Sequence, residues 1–229
     1  MIRKTNLTNV NFTKGRAGNK IMYLVYHYTA NDGDTDENNA LYFKAVHRGA
    51  SAHYFVDEDS VTQVVRDEDT AWHCGDKQKY TNGGATMKGK VRNVNSIGIE
   101  LCSDKDSQGK FIITPQTLKN GAELGQELMA KYNIPISNVY RHFDVTGKIC
   151  PEPFVRDPIQ WQRFKTMLTT GAGLPLIING NFRTVDGVIV SGISYIKIDG
   201  DKIPLRTLGE ALGFKVGWDE SRKAVIWND

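Results

Sequence analysis

Apolar and polar residues fall along the chain in blocks that read alternately as strands and helices. The run IMYLVYHY (21–28) is continuously apolar, β-branched and aromatic before it breaks into polar NDGDTD. That is the pattern of a buried strand whose C-terminal end opens into a loop. AHYFVD (52–57), VTQVVR (61–66) and SIGIELC (96–102) read as further strands, with a long loop rich in Gly, Asn and Lys (75–95) between the last two. Thr35 or Asp36 can cap a helix to about Arg48 whose inner face would be Leu41, Ala45 and Val46. Thr114-Pro115 opens a helix to about Tyr132: Thr accepts free N–H groups, and Pro at the first position loses no hydrogen bond. Leu118, Ala122, Leu128 and Met129 give it an apolar face. Asp157-Pro158-Ile159-Gln160 repeats the start signal, with Gln160 placed for a capping box, and the helix would bury Trp161, Phe164 and Leu168. Strands separated by helices predict an α/β sheet covered by helices.

Small residues and Pro at 169–175 (TTGAGLP) read as a linker between residues 1–168 and a shorter segment, 176–229. In that tail LIING, VIVSG, ISYIKIDG and AVIWN are strand-like, and one short helix spans about Leu205–Leu212, ended by Gly213. This predicts a small α+β domain. The tail carries seven Lys+Arg against seven Asp+Glu and no His or Cys, so it offers no catalytic cluster.

Composition narrows the function classes. A net charge of +3, from 29 basic and 26 acidic residues, is too mild for a nucleic-acid-binding surface. The longest apolar stretch, Ile21 to Tyr26, is six residues, against about 18 needed for a membrane span. The N-terminus MIRKTNLTNVNF has no following apolar region, so no signal peptide is read and synthesis in the cytoplasm is expected. Three cysteines are too few for a disulfide scaffold. Cys74 and Cys102 are expected to be free.

All five histidines lie before the linker. His27 ends the apolar strand, and His142 and Cys150 frame the irregular loop RHFDVTGKIC. Two imidazoles and a thiolate are donors that Zn²⁺ prefers, and three protein ligands leave a position for water. The residues alone also allow His27 to be a satisfied core histidine and Cys150 a small buried apolar group. Glu100 interrupts the apolar run Ile97–Leu101. A carboxylate there is costly unless paired or functional, or else it faces solvent from an edge strand. Near a metal it could take a proton from water. Lys148, two residues before Cys150, could stabilise an oxyanion there.

VYHYTA around His27, SAHYFVDED (51–59), AWHCGD (71–76), SIGIELC around Glu100 and YRHFDVTGKICPEP (140–153) occur in the order found in zinc-dependent N-acetylmuramoyl-L-alanine amidases. The chain from about 20 to 168 resembles these type 2 amidases, whose relatives include phage lytic amidases and peptidoglycan-recognition proteins. The resemblance implies a central mixed β-sheet flanked by helices. It also implies His27, His142 and Cys150 as zinc ligands, Glu100 as general base, Lys148 as the residue assisting at the tetrahedral intermediate, and Trp72 and His73 on the substrate groove. Where some relatives place Tyr, Ala52 precedes His53, so that tyrosine's role does not carry over and His53 is read as structural. His47 is read as a solvated helix-end histidine. Residues 176–229 resemble the stalk-like domain related to the N-terminal domain of copper amine oxidases.

The implied partner is bacterial peptidoglycan and the implied cofactor Zn²⁺. The implied activity is cleavage between the lactyl group of N-acetylmuramic acid and L-alanine of the stem peptide. Synthesis without a signal peptide fits a phage or prophage endolysin that reaches the wall after release, with 176–229 as wall-binding domain. Alternatives are a cytosolic muropeptide-recycling amidase and a non-catalytic recognition module; the complete set of His27, His142, Cys150 and Glu100 favours catalysis. Oligomeric state, monomer or dimer, is left open.

Overall fold

An N-terminal strand, β1 (Ile2–Thr5), precedes the long apolar run, which forms β2 (Tyr23–Tyr28) in this computed structural model. The structure describes residues 1–170, 174–179, 181–185, 187–190, 193–198, 201–219 and 224–228. After β2 come α1 (Asp36–Lys44), β3 (Tyr54–Val56), β4 (Ser60–Gln63), β5 (Ser96–Leu101), the short pair β6 (Asp104–Lys105) and β7 (Phe111–Ile112), and α2 (Pro115–Tyr132). Next are β8 (Val139–Arg141), α3 (His142–Thr146), α4 (Glu152–Arg156) and α5 (Pro158–Thr170). Two compact units, Met1–Lys165 and Thr166–Asp229, divide within α5.

The first unit is built on a six-stranded mixed sheet of order β1-β4-β3-β5-β2-β8. Only the β3–β4 pair is antiparallel; the other four pairings are parallel. Such parallel strands are covered on both faces, which is why β2 reads as an unbroken apolar run and β5 as one broken only by Glu100. Along β2 the side chains alternate. Tyr26 meets the helical layer, its hydroxyl donating to the Gly121 carbonyl of α2 at 3.0 Å and its ring packing edge-on against Phe164 of α5. Val25 lies on the opposite face with Cys74, Val91 and Val145. His27, two residues on from Val25, shares that second face.

The caps predicted for the long helices form. Thr114 accepts from the Thr117 N–H, and Asp157 accepts from Ile159 and Gln160. The Asp157 N–H goes to the Pro153 carbonyl rather than closing a box with Gln160. Trp161, Phe164 and Leu168 are buried as expected.

The expected inner face of α1 is not the observed one. Leu41 is 63% and Val46 53% exposed, whereas Asp36, Asn39 and Ala40 are buried. The helix stops at Lys44, so Ala45 and Val46 lie beyond its last turn, and positions 36, 39 and 40 share the buried stripe. Asp36 is accommodated there because the hydroxyls of Ser60 and Thr62 donate to its carboxylate.

The stretch 169–175, read from the sequence as a linker, is only partly described. α5 continues to Thr170 and the next strand starts at Leu174, leaving only residues 171–173, which lie outside the described residues. The second unit contains β9 (Leu174–Ile178), β10 (Asn181–Val185), β11 (Gly187–Val190), β12 (Ile193–Ile198), β13 (Asp201–Pro204), α6 (Leu205–Ala211), β14 (Lys215–Asp219) and β15 (Ala224–Asn228). A four-stranded sheet (β10-β9-β15-β14), a three-stranded sheet (β11-β12-β13) and α6 make up this small α+β unit. Leu176, Leu205, Val225 and Trp227 form its core.

Candidate metal centre and catalytic cleft

Parallel pairing sets the site at one edge of the sheet's second face. His27, near the end of β2, is the register partner of Glu100, near the end of β5. β8 runs beside β2 and ends at Arg141, so His142 enters as the first residue of α3 at the same end. Arg141 fixes that corner. It binds the Asp144 carboxylate through two guanidinium nitrogens and donates from Nη1 to the Phe154 carbonyl. Gly147, with φ +86°, ends α3 in the left-handed region, and the returning loop brings in Cys150, whose carbonyl accepts from Phe143 N–H at 2.9 Å.

His27, His142 and Cys150, far apart in sequence, thus converge. All three are buried, and their ligating atoms lie within 4.8 Å of one another. His27 Nδ1 is 3.1 Å from His142 Nδ1 and 3.8 Å from Cys150 Sγ. Burial, then the neighbouring His142, holds the His27 imidazole well below its ordinary pKa, and burial pushes the Cys150 thiol up. Two imidazoles beside a thiol are a donor set for a cation of zinc's type, whose charge would favour the thiolate. The residues present therefore fit the metal that the sequence resemblance implied.

The outer nitrogens of both imidazoles meet protein groups. Asp76 Oδ2 lies 2.6 Å from His142 Nε2, and Thr146 Oγ1 donates to the same oxygen at 3.0 Å. Burial alone would raise the Asp76 carboxyl, but these neighbours hold it below its usual range. His27 Nε2 lies 3.1 Å from His73 Nδ1. Asp76 was not singled out from the sequence; its position inside AWHCGD was the available signal.

Glu100, Lys148, Trp72 and His73 line the same cleft of about 210 Å³ as the three donors. Glu100 Oε2 is sealed from solvent and has no hydrogen-bond partner among the described residues. Burial raises its pKa to about 8, with Lys148 pulling it down and Asp34 up. The edge-strand alternative for Glu100 does not hold, because β5 lies between β3 and β2. Lys148 is exposed at the mouth. Trp72 is half-buried on the wall, its Nε1 donating to Thr13 Oγ1 and its ring centroid 5.6 Å from that of His47. His47 is exposed, three residues past the end of α1.

His53 is fully buried. Its Nδ1 accepts from the Gly98 N–H at 3.0 Å, and its Nε2 faces the Asp69 carbonyl at 3.2 Å. Burial and the adjacent Arg16 guanidinium depress its pKa to about 3. Ala52 before it is buried and brings no phenol to the site. Arg16, which the sequence reading passed over, ties the N-terminal segment to this floor through the carbonyls of Asp67 and Ser96. Cys74 and Cys102 are free thiols.

A family model described as N-acetylmuramoyl-L-alanine amidase matches residues 17–153. The N-acetylmuramoyl-L-alanine amidase CwlL of Bacillus licheniformis is 33% identical over 147 residues, 62% of this chain and 39% of that protein. BlyA of Bacillus subtilis, of the same description, is 34% identical over 147 residues, with the same shares. The chain thus spans about two fifths of the length of these curated relatives. Among solved structures, PlyL superposes with a TM-score of 0.60 at 27% identity, covering 75% of this chain and 99% of PlyL. The catalytic domain of XlyA gives 0.58 at 27%, covering 73% and 99%. A match that takes in every donor of the cleft, on the mixed sheet described above, means that this chain belongs to the N-acetylmuramoyl-L-alanine amidases of type 2.

Proposed function

We propose that the chain is a zinc-dependent peptidoglycan hydrolase that cleaves the amide between the lactyl group of N-acetylmuramic acid and L-alanine of the stem peptide. The observation that carries this reading is that Glu100, whose Oε2 is sealed from solvent and without a hydrogen-bond partner among the described residues, lies in one cleft with the convergent His27, His142 and Cys150. Zinc held by those three residues would supply a Lewis acid for the scissile carbonyl and lower the pKa of water. With the cation's charge favouring its ionised form, Glu100 would accept a proton from the attacking water and return it to the departing amine as the carbon–nitrogen bond breaks. The products are a lactyl carboxylate and the free amino group of L-alanine. Lys148 stabilises the oxyanion from the cleft mouth. Trp72 meets the substrate along the wall.

Residues 176–229 would hold the enzyme to the wall, and lytic action on the wall fits a phage or prophage endolysin. Among the described residues no helix is long and apolar enough to cross a membrane.

The test is release from purified Gram-positive walls. New N-terminal alanine without new reducing ends, stopped by a chelator and restored by zinc, is the expected result. Release of reducing ends, or none from either walls or soluble muropeptides, would refute the amidase assignment; wall binding without release would make the chain a recognition module. Cosedimentation of Glu100→Gln with walls, as residues 1–229 and as residues 1–175, tests the tail.

A further inference from the structure

An imidazole holds a metal only through the ring nitrogen that carries no proton. Which nitrogen of His27 is bare is decided by the groups behind it, and the series ends at a group with no choice. The Arg92 carbonyl can only accept, and Ser96 Oγ donates its single proton there at 2.7 Å. Ser96 Oγ is then left to accept from His73 Nε2, 3.1 Å away. With its proton on Nε2, His73 has a bare Nδ1, and His27 Nε2, 3.1 Å from it, must donate. The remaining nitrogen, His27 Nδ1, is the one that faces Cys150 Sγ and His142 Nδ1.

Packing makes this direction hard to reverse. His27, His73 and Ser96 are all buried, which favours these protein partners over water. β5 also makes room for the His73 ring: a Cβ on Gly98 would lie 2.5 Å from His73 Cγ. Both ring nitrogens of His73 face protein groups, His27 Nε2 and Ser96 Oγ.

We propose that His73, backed by Ser96 and the Arg92 carbonyl, is a positioning residue that holds His27 in the Nε2–H tautomer and so presents Nδ1 to the metal. The inference rests on the zinc reading above and adds what orients one of its ligands. Partners of this kind typically contribute ten- to hundredfold to metal affinity.

Two readouts test it on the full chain. Two-bond proton–nitrogen NMR of the zinc-free protein reads the His27 tautomer, and competition with a chromophoric chelator reads zinc affinity. The expected results are an Nε2–H His27 in the wild type, and a loss of about ten- to hundredfold in zinc affinity for His73→Phe. His73→Asn, whose Oδ1 can accept in place of Nδ1, should recover most of that loss. An Nδ1–H tautomer in the wild type, or unchanged affinity in His73→Phe, would overturn the proposal. Equal losses in His73→Phe and His73→Asn would also overturn it, leaving His73 a packing role. The tautomer measurement needs no metal, so it decides the relay even if the wild type bound no zinc, an outcome that would instead remove the metal reading.

Discussion

His27 and Glu100 are register partners on adjacent parallel strands, so a nitrogen donor and an unpartnered carboxyl project from the same face one strand apart. Neither residue marks the other in the sequence, where 72 residues separate them. Because side chains on a strand alternate with a period of two, a slip of one residue between β2 and β5 would put them on opposite faces.

That placement makes Glu100→Gln informative twice over. Turnover on walls should fall about 10²- to 10⁴-fold, the usual contribution of a general base, with bound zinc unchanged. Stability of the zinc-free protein should move the other way. The carboxyl's pKa rises from 4.5 to about 8 on folding, so between those values the folded state holds a proton that the unfolded state releases. Stability therefore falls as pH rises through that window. Glu100→Gln should flatten this dependence and raise the zinc-free Tm near pH 8 by on the order of 3 °C. Thermal melts at about pH 5 and about pH 8 check the sign, and retained turnover would remove Glu100 from the mechanism.

Gly98 leaves room for the His73 ring. Gly98→Ala places a methyl 2.5 Å from His73 Cγ and must displace the ring or the strand. A destabilisation of about 1–3 kcal/mol, as for other overpacked cores, should accompany weakened zinc binding. Denaturant melts and chelator competition on one preparation measure both; an unchanged pair of values would mean that the ring can step aside.

Gly147 controls the loop that carries Lys148 and Cys150. A side chain there would meet the Gly83 carbonyl at 2.8 Å, and its φ of +86° is strained for any L-residue. Gly147→Ala should cost about 1–2 kcal/mol from the backbone alone and lower kcat by moving Lys148. A variant with wild-type Tm and kcat would show that the loop adapts.

Acid should weaken the first unit through Asp67, a buried carboxylate that accepts from Tyr54, Gln63, Lys131 and Tyr132. Burial raises its pKa, but the bonds from Tyr132, Tyr54 and Lys131 outweigh that and hold it below its usual value. A depressed carboxylate contributes stability that is complete above its unfolded pKa, near 3.9. That stability is lost as pH falls through the folded value. Asp67→Asn should lose about 1–3 kcal/mol at neutral pH and show a flatter acid limb in urea melts. An acid limb identical to the wild type would place the acid sensitivity elsewhere.

The sequence by itself determined the elements whose signals are local. β2 is visible because a strand covered on both faces must be continuously apolar, and α2 and α5 because Thr114-Pro115 and Asp157-Pro158 supply their caps within a few residues. The motifs around His27, Glu100 and Cys150 named the candidate donors for the same reason, since each is a short string of residue types. The tertiary structure decided what depends on neighbours distant in the chain. β1 is an exposed edge strand without an apolar pattern, defined only by pairing with β4. The buried face of α1 is polar because the hydroxyls of Ser60 and Thr62 await Asp36. Which nitrogen of His27 is bare is set by a carbonyl at Arg92, 65 residues away in sequence. Hydrogen-bond direction belongs to the whole connected series of groups, and only the fold brings that series together.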